Sequence, residues 1–196
     1  MLKSFFVFSA VFIVFQTFAY ADVSSDSLVQ GAIEQVGVTV RYDPSYKRIA
    51  YPGGDVSIHT GVCSDVVIRA YRKVGIDLQE LVHKDMSSHF SDYPSKRIWG
   101  LERTDTNIDH RRVPNLQEFF ARNGESFPLT RALENAMPGD VLTWRLPSGV
   151  PHIGMVSARR SGDGKRPLVV HNIGQGTREE DMAGEFLLTG WYRYLP

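Results

Sequence analysis

The sequence predicts an α+β fold in which N-terminal helices pack on one face of an antiparallel sheet. In the first half of the chain, apolar residues recur at helical spacing over 24–37 and 63–74. Short β-rich runs, separated by Gly, Pro and charged turns, follow in the second half at 141–146, 153–158, 167–172 and 187–194. Because the helices come first and the strands follow, this order favours an antiparallel meander over alternating β and α units.

The start of the chain has the pattern of a cleaved signal peptide over residues 1–21. Lys3 gives a positive first region, an apolar run follows at 5–15, and Ala19-Tyr20-Ala21 fits the small-x-small cleavage pattern. The apolar run is shorter than the roughly 20 residues that a membrane-spanning helix needs. We therefore expect cleavage after Ala21, export by general secretion, and a periplasmic or secreted protein that is not held in a membrane.

The first predicted helix is amphipathic and ends at Gly37. The second begins at Cys63 and ends at Gly75, and its apolar positions keep the spacing i, i+3, i+4, i+7, i+8 and i+11. Residues 77–112 are polar and contain a proline, so they predict a loop-rich insertion. Pro114 then opens a short helix with apolar residues on one side.

The charge balance of the chain excludes one class of function. Lys plus Arg number 22 and Asp plus Glu number 22, so the formal net charge is zero. A protein that binds nucleic acid through electrostatic attraction would carry a clear basic excess. The length after cleavage suits one domain with a sizeable core. We therefore expect residues 22–196 to form a single domain, to act as a monomer and not to bind nucleic acid.

Cys63 is the single cysteine of the chain, so it cannot form an intramolecular disulfide. It stands at the predicted start of a helix, where unpaired backbone N–H groups and the helix dipole stabilise negative charge. We therefore expect the pKa of its thiol to be depressed, as a cysteine nucleophile requires. The alternative is that Cys63 is a small buried residue on the core face of the helix.

Two of the six histidines stand at predicted strand ends. His152 opens the strand HIGMVSA directly after the turn LPSGVP, and His171 ends the apolar strand PLVV. Histidines at adjacent strand ends can point at one spot, which would supply a base and a third group that orients it. Each histidine alone would more commonly be a hydrogen-bonded, partly buried residue.

The segment GVCSDVVIRAYRKVGIDL resembles the nucleophile helix of NlpC-type cell-wall peptidases, which are papain-like cysteine peptidases. PGDVLTW, PHIGMVSA and VVHNIG resemble the sheet that follows in those enzymes, in the same order. The whole mature chain is similar to secreted bacterial proteins of domain-of-unknown-function family 1287, through GVCSDVVIRAYR, NIDHRRVPNL, PHIGMVS and WYRY. This resemblance implies a papain-like NlpC-type fold with Cys63 as nucleophile, His152 as base and His171 as the orienting third residue.

The resemblance also has departures. YPGG at 51–54 resembles the Tyr-x-Gly-Gly before the nucleophile, which implies that Tyr51 borders the site. Val62 stands where NlpC-type enzymes have Asp, and Asp65 stands where they have Gly. Asp65 follows Cys63 by two residues, about 200° around a helix, so we expect it to face away from the site. The insertion at 77–112 is longer than the basic NlpC-type core needs, which allows a different substrate specificity.

The segment DTNIDHRR at 105–112 begins like a calcium loop but does not continue as one. Asp105, Asn107 and Asp109 match D-x-N-x-D, whereas His110 and Leu116 stand where an EF-hand has Gly and Glu. One cysteine and no H-E-x-x-H spacing also disfavour zinc, including a cluster built on Asp109 and His110. We therefore predict no metal and no organic cofactor.

Two interpretations of this segment stay open. In the first, substrate is bound by Asp109, His110, Arg111 and Arg112, and the arginines clamp carboxylates, because a guanidinium matches a carboxylate in a bidentate fork. Bacterial stem peptides are rich in free carboxylates, so this interpretation fits a cell-wall substrate. Alternatively, the segment is an ion-paired loop that fixes the insertion to the core.

These observations predict an exported cysteine hydrolase that cleaves amide bonds, most plausibly in peptidoglycan stem peptides or cross-links, through a thioester intermediate. Two other functions remain open on the same fold. One is a non-catalytic module that binds the cell wall. The other is an acyltransferase, in which a second nucleophile replaces water at the thioester.

Overall fold

The computed structural model describes residues 24–196, so the predicted signal peptide at 1–21 lies outside the described residues. Helices span Ser25–Ile33 (α1), Cys63–Lys73 (α2), Leu78–Ser88 (α3), Ser95–Trp99 (α4) and Val113–Asn123 (α5). Strands span Arg41–Tyr42 (β1), Thr60–Gly61 (β2), Glu125–Ser126 (β3), Val141–Arg145 (β4), Pro151–Arg160 (β5), Pro167–Asn172 (β6), Thr177–Glu180 (β7) and Leu187–Arg193 (β8). Short 3-10 turns span Asp109–Arg111 and Leu133–Asn135. Within residues 24–196, no helix is long and apolar enough to cross a membrane.

The structure confirms the predicted α+β class. Six strands form one sheet in the order β3-β8-β4-β5-β6-β7, and every neighbouring pair in it is antiparallel. Strands β4, β5 and β6 form the first part of the expected meander, and β7 continues it. Strand β8, which was expected to follow β6 in the meander, instead lies beside β4. Strand β7 was not predicted, because its sequence TREE has no apolar alternation to mark it.

Each face of the sheet carries its own apolar core. The helices cover one face, where α2 and α5 pack against Val141, Ile153, Met155 and Val170. The other face holds a smaller core around Trp144 and Trp191, which the loops after β3 and β7 cover. The helices therefore lie on one side of the sheet, as the sequence predicts.

Helix α2 lies at the centre of the larger core. Val66, Val67, Ala70 and Tyr71 are fully buried, so the spacing that began at Cys63 marks the core face. Burying a large apolar side chain contributes about 1.5–3 kcal/mol, which fixes α2 firmly against the sheet. The hydroxyl of Tyr71 donates to the carbonyl of Tyr194 at 2.8 Å, and this bond ties α2 to the end of the chain.

The prediction that residues 77–112 are irregular is wrong for much of that segment. Helix α3 begins after Asp77, whose side chain accepts from the backbone N–H of Gln79 at 3.1 Å. Leu78, Val82 and Met86 are fully buried, at i, i+4 and i+8. This stripe was present in the sequence, but the charged residues between its members concealed it. The proline of the segment lies directly before α4, where a proline does not interrupt a helix.

Candidate active site

The candidate site lies where β5 and β6 separate. Their pairing runs from Met155–Val170 to Arg160–Pro167, so the first residues of β5 and the last of β6 extend beyond it. The segment before α2 lies against the end of β6. The side-chain amide of Asn172 donates to the carbonyl of Gly61 at 3.1 Å. The backbone N–H of Ile153 is near enough to the sulfur of Cys63 to lower the pKa of its thiol. Contacts from two strands therefore place the start of α2 at the end of the β5–β6 pairing, where His152 and His171 also lie.

The sulfur of Cys63 is buried rather than open to solvent. The residue is 5% exposed, and burial raises the pKa of its thiol to about 11. The N–H groups of Ile153, Ser64 and Cys63 lower this pKa, but burial outweighs them. The expectation of a depressed pKa is therefore wrong for the free chain. Helix position is visible in the sequence, whereas burial depends on how the whole sheet covers the helix start.

His152 and His171 form the pair that the sequence predicts. Nε2 of His152 lies 3.1 Å from Nδ1 of His171, and the rings meet edge to face. The indole of Trp144 packs against the other side of the His152 ring. Burial, followed by the electrostatic effect of the neighbouring His171, lowers the pKa of His152 to about 3. Both the thiol and the imidazole are therefore neutral at neutral pH.

The hydrogen-bond network continues from His171 to Glu180 at the protein surface. Nε2 of His171 lies 3.1 Å from a carboxylate oxygen of Glu180 on β7, the strand that sequence reasoning missed. The carboxylate of Glu180 is partly exposed and also lies 3.5 Å from Arg178. Burial lowers the pKa of His171, and the charge of Glu180 acts in the opposite direction.

Two adjoining cavities present Cys63 and His152 to ligands. One, of about 350 Å³, is lined by Cys63, and its neighbour, of about 180 Å³, is lined by His152. Tyr42, Val150 and Pro151 line both cavities. Among the described residues, no hydrogen bond joins the sulfur of Cys63 to His152. The two groups are therefore brought to one wall of the site without direct bonding in the free chain.

Tyr42 takes the bordering position that the resemblance assigned to Tyr51. Burial, followed by the charge of Cys63, raises the pKa of Tyr42 to about 12. Tyr51 instead packs edge to face on His83 of α3 and lines neither cavity. Tyr42 lies on a two-residue strand, which carries too little pattern to be recognised from the sequence.

Asp65 and Arg111 form a buried ion pair beneath the site. The guanidinium donates to both carboxylate oxygens at 2.8 Å, and both side chains are less than 5% exposed. Asp65 also accepts from the backbone N–H of Val62 at 2.7 Å and so caps α2. Asp65 therefore bonds structural partners, as expected. Its pairing with Arg111 occupies the edge of the guanidinium formed by Nε and one terminal nitrogen.

The remaining residues of DTNIDHRR divide between structure and the cavity wall. Asp109 is buried, accepts from the backbone N–H of Asp105 and pairs with Arg112 at 3.0 Å. The guanidinium of Arg112 lies 4.4 Å above the ring of Trp99, and both residues line the Cys63 cavity. Among the four residues assigned to substrate binding, Arg111 and Arg112 reach that cavity, and Asp109 and His110 do not.

His110 is buried, and its Nδ1 atom has no hydrogen-bond partner among residues 24–196. Burial lowers its pKa to about 4, so the unfolded chain binds this proton more tightly than the folded chain. Its stability contribution is complete above about pH 6.5 and is lost as the pH falls toward 4.

We expect wild-type protein to lose about 2 kcal/mol more folding free energy between pH 8 and pH 5 than His110→Gln. Urea unfolding at the two pH values measures this difference. His59→Gln, at an exposed histidine, is the control and should match wild type. An equal loss in wild type and His110→Gln would contradict the prediction.

A larger cavity adjoins the Cys63 cavity. It has a volume of about 750 Å³ and shares Trp99, Pro114 and Pro151 with its neighbour. Arg97 and Arg145 stand at its edge together with Glu118. The two cavities form a continuous groove that crosses Trp99 on its way from the thiol. Over residues 24–196, no group of three or more His, Cys, Asp or Glu residues is arranged to hold a metal ion.

Comparison with known proteins gives a family match and several structural likenesses. Residues 29–194 match the family model described as Domain of unknown function (DUF1287). The chain is 49% identical over 169 residues to "Uncharacterized protein YijF" of Escherichia coli (strain K12), which covers 86% of this chain and 81% of that protein.

Three solved NlpC/p60 structures are similar to the chain at low sequence identity. NlpC2 from Trichomonas vaginalis is 15% identical with a TM-score of 0.42, covering 92% of this chain and 51% of that chain. The NlpC/p60 domain of peptidoglycan hydrolase SagA is 14% identical with a TM-score of 0.44. This match covers 88% of this chain and 100% of that chain. A lipoprotein-like NLP/P60 protein from Staphylococcus aureus Mu50 is 13% identical with a TM-score of 0.41, covering 92% and 45%. The chain thus spans about half the length of the first and third structures.

Proposed function

For this chain, which belongs to the DUF1287 family, we propose an exported cysteine hydrolase that cleaves amide bonds in peptidoglycan stem peptides or cross-links. One observation carries the proposal. The lone cysteine, at a helix start, and one member of a hydrogen-bonded histidine pair line two adjoining cavities near the end of the β5–β6 pairing. The motif resemblance to NlpC-type peptidases supplies the substrate class.

In the proposed mechanism, the neutral thiol of Cys63 loses its proton to His152 as the sulfur attacks the amide carbonyl. Backbone N–H groups at the start of α2 stabilise the oxyanion. His152 then gives the proton to the leaving amine, and a thioester remains on Cys63. His152 next accepts a proton from water, which hydrolyses the thioester and releases the carboxylate product. His171 orients the His152 ring throughout.

In this mechanism, substrate binding brings the sulfur of Cys63 into contact with His152, a contact that is missing from the free chain. Catalytic hydrogen bonds are often long before substrate binds and tighten in the complex. Val150 and Pro151 lie immediately before His152, and Tyr42 faces them across the two cavities. A small movement of this shared wall would open the sulfur to the imidazole. We therefore place the scissile bond between these three residues.

The proposal is tested by incubating the mature chain with purified peptidoglycan and with soluble stem peptides. Mass spectrometry of the products should show new amine and carboxylate ends in equal amounts. Adding a primary amine as acceptor distinguishes hydrolysis from acyl transfer, because a transferase would form a new amide. Absence of any product, with binding to peptidoglycan retained, would overturn the hydrolase and favour the second candidate.

That second candidate is a non-catalytic cell-wall-binding module. The burial of Cys63 favours it, since a thiol that serves only as a core residue needs no access to substrate. Alkylation of the folded chain separates the two candidates. A hydrolase should react slowly but measurably through the cavity, and His152→Ala should slow the reaction. A binding module should react only after unfolding.

Trp99 offers a test of where the substrate lies. It lines both the Cys63 cavity and the larger cavity, and it is partly exposed. An aromatic surface that contacts ligand contributes about 1–2 kcal/mol, so we expect Trp99→Ala to raise KM roughly 10-fold and to change kcat little. Steady-state kinetics on the cleaved peptide measure both constants. Trp99→Phe, which keeps a ring under Arg112, should recover most of the affinity, and an unchanged KM in Trp99→Ala would exclude this groove.

A further inference from the structure

The hydrogen bonds that join His152 to His171 continue to Glu180, and Glu180 determines which ring nitrogens carry hydrogen. A carboxylate oxygen can only accept hydrogen bonds. The nitrogen of His171 that faces Glu180, Nε2, must therefore carry a hydrogen in order to bond it at 3.1 Å. Glu180 lies on β7, and neither the sequence motifs nor the family match assigns it a role.

The hydrogen on Nε2 of His171 in turn determines which nitrogen of His152 carries hydrogen. His171 is buried and its pKa is lowered, so the ring is neutral and holds a single hydrogen. With that hydrogen on Nε2, Nδ1 of His171 is an acceptor. The bond of 3.1 Å between the rings then requires His152 to donate from its Nε2.

The second ring fixes the position of the base. His152 is also buried and neutral, so a hydrogen on Nε2 leaves the lone pair on Nδ1. Nδ1 is the ring nitrogen that is not bonded to His171, and it is therefore the atom available to take a proton from the thiol. Reversing the inter-ring bond would place a hydrogen on Nδ1 and leave His152 without a free basic nitrogen.

We propose that Glu180 is a positioning residue that fixes the tautomers of His171 and His152 and so keeps Nδ1 of His152 unprotonated toward Cys63. This inference rests on the proposed cysteine–histidine chemistry. The charged groups around His171 are Glu180, Glu185 and Arg178, and among them Glu180 hydrogen-bonds the ring. Glu180 and Arg178 line a cavity of about 190 Å³, which exposes the Glu180 end of this hydrogen-bond network to solvent.

The decisive experiment observes the tautomers directly. Long-range proton–nitrogen NMR of ¹⁵N-labelled chain reports which ring nitrogen of each histidine carries hydrogen. Wild type should show the hydrogen on Nε2 of both rings, and Glu180→Ala should show a mixture with a substantial Nδ1–H population. A hydrogen on Nδ1 of His171 in wild type, or an unchanged pattern in Glu180→Ala, would overturn the proposal.

Kinetics provide the second readout. Glu180→Ala should lower kcat roughly 10- to 100-fold with KM little changed, since Glu180 contacts no part of the substrate groove. Glu180→Gln keeps an acceptor oxygen and should recover part of the loss. Glu179→Gln is the matched control, because that carboxylate on the same strand contacts Ser157 and Arg159 instead. Equal loss in Glu179→Gln would also overturn the proposal.

The NMR result does not depend on peptidoglycan cleavage. If the chain proves inactive and the tautomers still follow Glu180, the proposed function fails while the assignment of Glu180 stands. If the chain cleaves peptidoglycan and the tautomers ignore Glu180, the assignment alone fails.

Discussion

Replacing Cys63 with alanine should reduce cleavage of peptidoglycan peptides by roughly 10⁴-fold or more, because the covalent route through the thioester then disappears. The fold should survive, since the change removes one buried sulfur atom from a core of many apolar side chains. Product formation followed by mass spectrometry measures the first effect, and urea unfolding measures the second.

The chain supplies its own control, because Cys63 is the single cysteine in the sequence. Prolonged treatment of wild type with iodoacetamide should abolish cleavage, and Cys63→Ala should show no further change with the reagent. Cleavage that persists at the wild-type rate in Cys63→Ala would contradict the assignment of the nucleophile.

Replacing Asp65 with asparagine should destabilise the folded chain by about 3–5 kcal/mol, because it leaves the guanidinium of Arg111 buried without a counter-charge. The pair is almost completely excluded from solvent and is bidentate. The change also weakens the hydrogen bond that caps α2 at Val62. Urea unfolding at pH 7 measures the free energy.

Two further variants make this result specific. Asp163→Asn breaks an exposed ion pair with Arg166 and should change the free energy of unfolding far less. Replacing Asp65 and Arg111 together by Asn and Met should recover much of the loss, because no unpaired charge then remains buried. A loss in Asp65→Asn no larger than in Asp163→Asn would contradict the prediction.

The same pair shows a structural role for Arg111. Its guanidinium donates from Nε and one terminal nitrogen to both oxygens of Asp65. The prediction that Arg111 also binds a substrate carboxylate stays a prediction, and Arg111 lines the Cys63 cavity. Arg112 keeps a position on the cavity wall, although Asp109 holds one of its nitrogens.

Local pattern was enough to predict the elements that carry the site. The start of α2 at Cys63 followed from apolar spacing, and His152 and His171 followed from their places at strand ends. The sequence stripe of α3 was also local, but the charges between Leu78, Val82 and Met86 concealed it. What local pattern could predict is thus the identity of the elements and the residues at their ends.

Properties that depend on distant residues could not be predicted in this way. Asp65 and Arg111 are 46 positions apart, so their pairing depends on how the insertion folds back over α2. The direction of the thiol pKa depends on burial, which arises only when β5 and β6 cover the helix start. Tyr42 and Glu180 reach the site through short strands whose sequences carry no signal.

The hydrogen bond between β6 and the segment before α2 has a consequence for the order in which the candidate site forms during folding. Helix α2 can form from local contacts early in folding, but the bond from Asn172 to Gly61 joins residues 111 positions apart. The segment before α2 is therefore fixed in place only after β6 has joined the sheet. We expect an unfolded or half-folded chain to carry an ordinary, accessible thiol, so that slow alkylation of Cys63 reports completed folding.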